Sequence, residues 1–144
     1  MIPSKPQLTA LQAKNDDVGQ IWLTKKQRIF VHLLAEKSIR SGRINEAITL
    51  LEAALALHDD DSNLWKIYSY ASLLSRSGKV TLAAVEKYRT LSGDFASKSP
   101  ITLIESRALA QTGRWQEARE LARRFINEGA GRSDALQPTR SEQK

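Results

Sequence analysis

Apolar residues along the chain recur at helical rather than strand spacing. Ile29, Phe30, Leu33 and Leu34 form one such stretch, followed by Ile44, Ala47, Ile48, Leu51, Ala54 and Leu55. A second pair of stretches sets Trp65, Ile67, Tyr68, Leu73 and Leu74 against Val80, Ala84, Tyr88 and Leu91. A third sets Ile101, Leu103, Ile104 and Leu109 against Trp115, Ala118, Leu121, Ala122 and Phe125. Each stretch leaves polar positions on its other side, the signature of an amphipathic helix. The pattern predicts an all-α protein of about six helices, paired into three tandem hairpins.

Between the two helices of each pair lies the same short motif: glycine, a basic residue, and alanine five positions after the glycine. The copies are Gly42-Arg-Ile-Asn-Glu-Ala47, Gly78-Lys-Val-Thr-Leu-Ala83 and Gly113-Arg-Trp-Gln-Glu-Ala118. Glycine suits a left-handed helix stop, and the alanine lets two helices approach closely. The glycines are 36 and then 35 residues apart, close to the tetratricopeptide period of about 34. Thr24 with Gln27 reads as a capping box, Asp61 or Ser62 as the next cap, and Ser99-Pro100 as the start of the third hairpin. A folded unit is thus expected over residues 23–128, with flexible polar segments over 1–22 and 129–144.

Composition narrows this little further. The 144 residues are 41% hydrophobic and suffice for a single core. There is no cysteine, which removes disulfides, thiolate metal sites and cysteine nucleophiles, and a reducing compartment fits. The opening residues lack the apolar run of a secretory signal, and no stretch approaches the roughly 20 apolar residues of a membrane span. A cytoplasmic protein without membrane insertion is expected. The net charge of +6 is uneven: residues 1–61 carry eight basic and eight acidic side chains, residues 62–144 fourteen and eight. An acidic partner or a nucleic acid is a natural counterpart to such an excess.

From Leu23-Thr-Lys-Lys-Gln-Arg-Ile-Phe30 through Gly42 to Leu55-Ala-Leu57, the chain resembles the YscY-type (SctY) proteins, small tetratricopeptide chaperones of bacterial type III secretion. The resemblance covers about residues 23–128. It implies binding of a small export component of the YscX type, engagement of the export-gate protein, and a place at the cytoplasmic side of the inner-membrane apparatus. Chaperones for needle subunits or translocators share the same general pattern.

In stacked hairpins the first helix of each repeat lines a concave face where a partner segment can lie. Alignment on the three glycines assigns to that face Ile29, His32, Glu36 and Ile39 from the first repeat. It adds Trp65, Tyr68, Ser72 and Ser75 from the second, and Leu103 and Arg107 from the third. Trp65 and Tyr68 share one helix face; they serve either as groove anchors or as core. Trp115, just past a glycine turn, is expected to pack within its own hairpin.

The remaining chemistry is sparse. His32 and His58 are the only histidines and have no paired ligand at helical spacing, so no metal or cofactor is expected. Asp59-Asp60-Asp61-Ser62-Asn63 alternates like a calcium loop, but Leu64 and Tyr70 stand where such a loop needs glycine and glutamate; capping is the better account. Arg114, Arg119, Arg123 and Arg124 alternate with Glu117, Glu120 and Glu128, which favours ion pairing along a wet helix over nucleic-acid binding. Phosphate loops, nucleophile elbows and zinc-protease motifs are absent, and Glu36, Glu52, Glu86 and Glu105 lie in separate stretches, so no catalytic role is assigned. A holder of another protein is the expectation, with self-pairing of the apolar surface into a homodimer when the partner is absent.

Overall fold

The computed structural model describes residues 22–136, with side chains as far as Gly129. The expected flexible segments fall largely outside these residues. The described chain is all-helical, with six helices. They are α1 (Lys25–Arg40), α2 (Ile44–Leu57), α3 (Ser62–Leu74), α4 (Gly78–Ser92), α5 (Ile101–Gln111) and α6 (Trp115–Leu136). They pair as three consecutive tetratricopeptide-like hairpins. The first helices, α1, α3 and α5, also touch one another in order, so they form one continuous wall.

The helix starts follow the local sequence. Thr24 Oγ1 accepts from Gln27 N at 3.1 Å while Gln27 Oε1 accepts from Thr24 N at 2.8 Å, closing the capping box. Asp61 caps α3, its Oδ1 accepting from the backbone of Asn63 and Leu64. Pro100 already has helical dihedrals ahead of Ile101, as its fixed φ favours. At the other end, α6 runs through Gly129 to Leu136, past the boundary expected at residue 128. Glycine in a helix costs about 1 kcal/mol but, unlike proline, removes no backbone bond, so Gly129 does not stop it.

The first-helix turns share one hydrogen-bonded ending. Gly42 N donates to Ile39 O and Arg43 N to Ser38 O; Arg76 N donates to Leu73 O and Ser77 N to Ser72 O; Gly113 N donates to Ala110 O and Arg114 N to Leu109 O. This is the Schellman pattern three times. Its left-handed residues are Gly42, Arg76 and Gly113, with φ of 79°, 64° and 87°. The second repeat is therefore two residues out of the register that glycine alignment gives it. Gly78 is not at the left-handed stop but in the first turn of α4. A Cβ there would lie 2.9 Å from Ala108 O and 3.0 Å from both Gln111 Cβ and Thr112 Cγ2. Gly78 is required by the close approach of the third hairpin, not by its own backbone.

In the corrected register the small buried position of the second helix is Ala47, Thr81 and Ala118; Ala83, the residue the motif pointed to, is exposed. Thr81 tolerates full burial because its hydroxyl donates to Ser77 O at 3.0 Å and lies 3.0 Å from Ser72 Oγ. Facing it in the first helices are Ala35, Ser69 and Ser106, all buried. Ala35, Ala47, Leu51, Ala54, Leu55, Leu64, Ile67, Tyr68, Ala71 and Ala84 form one core across the first two hairpins.

Candidate functional site

The hydrophobic stripe of α1 does not enter that core. The buried residues of α1 are Ala35 and Ser38, whereas Ile29, Phe30, Leu33 and Leu34 are all exposed, Leu33 by 56%. Ile29 and Leu33 look onto a groove of about 770 Å³ that the first helices enclose. α1 contributes Ile29, His32, Leu33, Glu36, Ile39 and Arg40; α3 contributes Asn63, Lys66, Ile67, Tyr70 and Leu74; α5 contributes Ile104.

Register explains this membership. Counting back from the left-handed residues, Leu33, Ile67 and Ile104 are equivalent, and they form one apolar row across all three helices. Glu36, Tyr70 and Arg107 form the next row, and His32, Lys66 and Leu103 another. Ile29, His32, Glu36 and Ile39 thus line the groove as the sequence indicates. Leu103 and Arg107 are exposed beside Ile104 on the same face of α5.

The second-repeat residues lie elsewhere. Tyr68 is only 9% exposed, and its hydroxyl donates to Glu52 Oε2 at 2.8 Å. Burial, and then the neighbouring Glu52 carboxylate, push its phenol up to about 12. Trp65 packs against the core edge-on to Tyr68, at 5.9 Å between ring centroids, and its Nε1 donates to Asp59 O at 2.8 Å. Ser72 is 2% exposed, and its hydroxyl donates to Tyr68 O at 2.8 Å. Ser75 donates to Ser72 O at 2.9 Å, at the end of the helix. None of the four lines the groove; they are structural residues of the second hairpin. Their places are taken by Asn63, Lys66, Tyr70 and Leu74, which alignment on Gly78 misses. Alignment on the buried small residues Ala35, Ser69 and Ser106 recovers them.

His58 and the acidic turn lie together beside the groove. His58 is buried, with Nε2 accepting from Leu23 N at 2.7 Å and the ring of Trp22 edge-on at 5.3 Å. Arg28 binds Asp61 at 2.9 Å and Leu23 O at 3.0 Å beside it. His58 and the acidic turn therefore fasten the start of α1 to the α2–α3 connection. Among the described residues no group of three or more His, Asp or Glu side chains could hold a metal ion.

The last hairpin departs from expectation in two ways. Trp115 is 58% exposed. It occupies the register position of Ile44 and Gly78, and Gly78 is covered by the following hairpin, which Trp115 lacks among the described residues. Arg114, just before α6, pairs with Glu117, while Arg119, Arg123 and Arg124 within α6 have no ion pair among the described residues. No protein-family model matches the chain, and no curated protein matches it significantly.

Proposed function

We propose that the chain is a non-catalytic holder of another protein, a chaperone or adaptor of type III secretion that shields an apolar partner segment in the groove of α1, α3 and α5. One observation carries the proposal: Ile29, Leu33, Tyr70 and Leu74 are large, apolar and half exposed, and they converge on a single concavity. Apolar surface arranged in this way gains on the order of 25 cal/mol for each Å² covered, and contiguous exposed patches mark interaction sites. The resemblance of residues 23–57 to the YscY-type chaperones supports a small export component of the YscX type as the partner, with the export gate as a second contact. A needle or translocator subunit satisfies the same groove. No helix among the described residues is long and apolar enough to cross a membrane, in keeping with a peripheral place at the apparatus.

Arg119, Arg123 and Arg124, exposed and without an ion pair among the described residues, favour a second reading in which the last hairpin holds an acidic protein or a nucleic acid. Salt separates the two, since phosphate contacts weaken steeply with ionic strength. The tagged full-length protein, recovered from its native extract at moderate and high salt, is expected to retain a small secretion protein in equimolar amount. It should lose that protein on joint Tyr70→Ala and Leu74→Ala substitution. Recovery of nucleic acid alone, abolished by salt or by neutralising the three arginines, would reject the groove.

A further inference from the structure

We propose that the occupant of the groove is a single amphipathic helix whose apolar stripe is flanked by carboxylates. The inference rests on the groove being the docking site, and it follows from the backbone and the charges around it. All three walls are helices, whose interior backbone groups are already bonded along the helix. An extended segment laid between them would find no sheet edge to pair with and would bury unpaired N–H and C=O groups. A helix brings its own backbone satisfied.

The floor sets the length. Leu33, Ile67 and Ile104 run in one row across three neighbouring helices. With axes about 8–10 Å apart, the row spans about 20 Å, or about four turns of a partner helix.

The rim sets the charge. Arg28, Arg43, Arg89 and Arg114, all outside the row, each have a carboxylate within ion-pair distance. Arg40, Lys66 and Arg107 have none among the described residues. The ammonium of Lys66 lies 5.9 Å from the Tyr88 ring centroid, a contact that leaves its charge in place. On the acidic side, Glu36 lines the groove and forms no ion pair with Arg40 one turn later; at the mouth, Lys25 is offset by Asp60. Bases exceed acids along the groove, so a partner with acidic flanks is drawn in and one with basic flanks is repelled.

The test uses the full chain and two fluorescein-labelled 18-residue helical peptides that share a leucine stripe, one flanked by glutamates and one by lysines. The glutamate peptide is expected to bind at least tenfold tighter at low salt, with the ratio shrinking as salt rises. Joint Arg40→Glu, Lys66→Glu and Arg107→Glu substitution, at exposed positions, should reverse the preference. A photo-crosslinking benzoylphenylalanine at position 33 should join the chain to the glutamate peptide. Equal affinity for both peptides, lost on joint Tyr70→Ala and Leu74→Ala substitution, overturns the acidic flank and leaves the groove standing. Binding of neither peptide, or crosslinking of position 33 to residues 1–21 or to a second copy of the chain, overturns both.

Discussion

Arg76 and Gly78 together show how a repeat can hide its own register. The left-handed stop of the second hairpin falls on Arg76, at φ 64°, a conformation costing a residue with a Cβ about 1 kcal/mol. Two positions later, Gly78 has no need of left-handed freedom but is pinned by Ala108 O. Arg76→Gly is therefore expected to stabilise the protein by about 0.5–1 kcal/mol. Gly78→Ala, which must push backbone aside, should cost about 1–3 kcal/mol. Paired urea titrations would show midpoint shifts of opposite sign; equal or inverted shifts would restore Gly78 as the stop. Tyr68 offers a second check at this scale. Its phenol is raised from the ordinary 10.0 to about 12, so the folded state keeps a proton that the unfolded chain gives up. Its contribution is present in full below pH 10 and lost as pH rises through 12. An alkaline melt of the native protein should fall over that window, and the fall should be shallower in Tyr68→Phe.

At the scale of the element, α1 is where hydrophobic pattern and structure part. Periodicity marks Ile29, Phe30, Leu33 and Leu34 as a helix face, and the helix is there. Periodicity reports that a face is apolar, not whether the same chain covers it. The buried residues of α1 are Ala35 and Ser38, with the partly buried Val31 and Ile39 packed beside them against the core, and the two at the centre of that face are too small or polar to register as a stripe. The caps were legible because Thr24, Gln27 and Asp61 act within a few residues of themselves. The second-repeat wall was not, because the stop at Arg76 shows only in backbone bonds. Alignment on the glycines that do end their helices puts Ile29, His32, Glu36 and Ile39 along the groove, and Leu103 and Arg107 beside it, next to Ile104. What orients α1 is equally invisible locally: Leu23 N reaches His58 across 35 residues. His58→Phe keeps the ring volume but leaves that N–H without an acceptor, at a cost of about 1–3 kcal/mol. The expected result is a lower thermal midpoint, with faster amide exchange concentrated at the start of α1. Exchange unchanged there would mean that Arg28 and Asp61 hold the helix alone.

For the whole molecule, three hairpins stack so that each touches only its neighbour among the described residues, and stability in such arrays is largely the sum of neighbouring interfaces. Apolar surface left open on the concave wall of α1 and α3 then serves both affinity and stability, since a partner that binds only the folded form stabilises it by mass action. Absence of cysteine allows the central claim to be tested by placing single cysteines at position 33, 70 or 119 and following maleimide labelling of the full-length protein, free and in the complex recovered from its native extract. The groove account predicts that labelling at 33 and 70 slows at least tenfold in the complex while 119 reacts as before. Protection at 119 with 33 and 70 still open would contradict it and assign the interaction to the last hairpin.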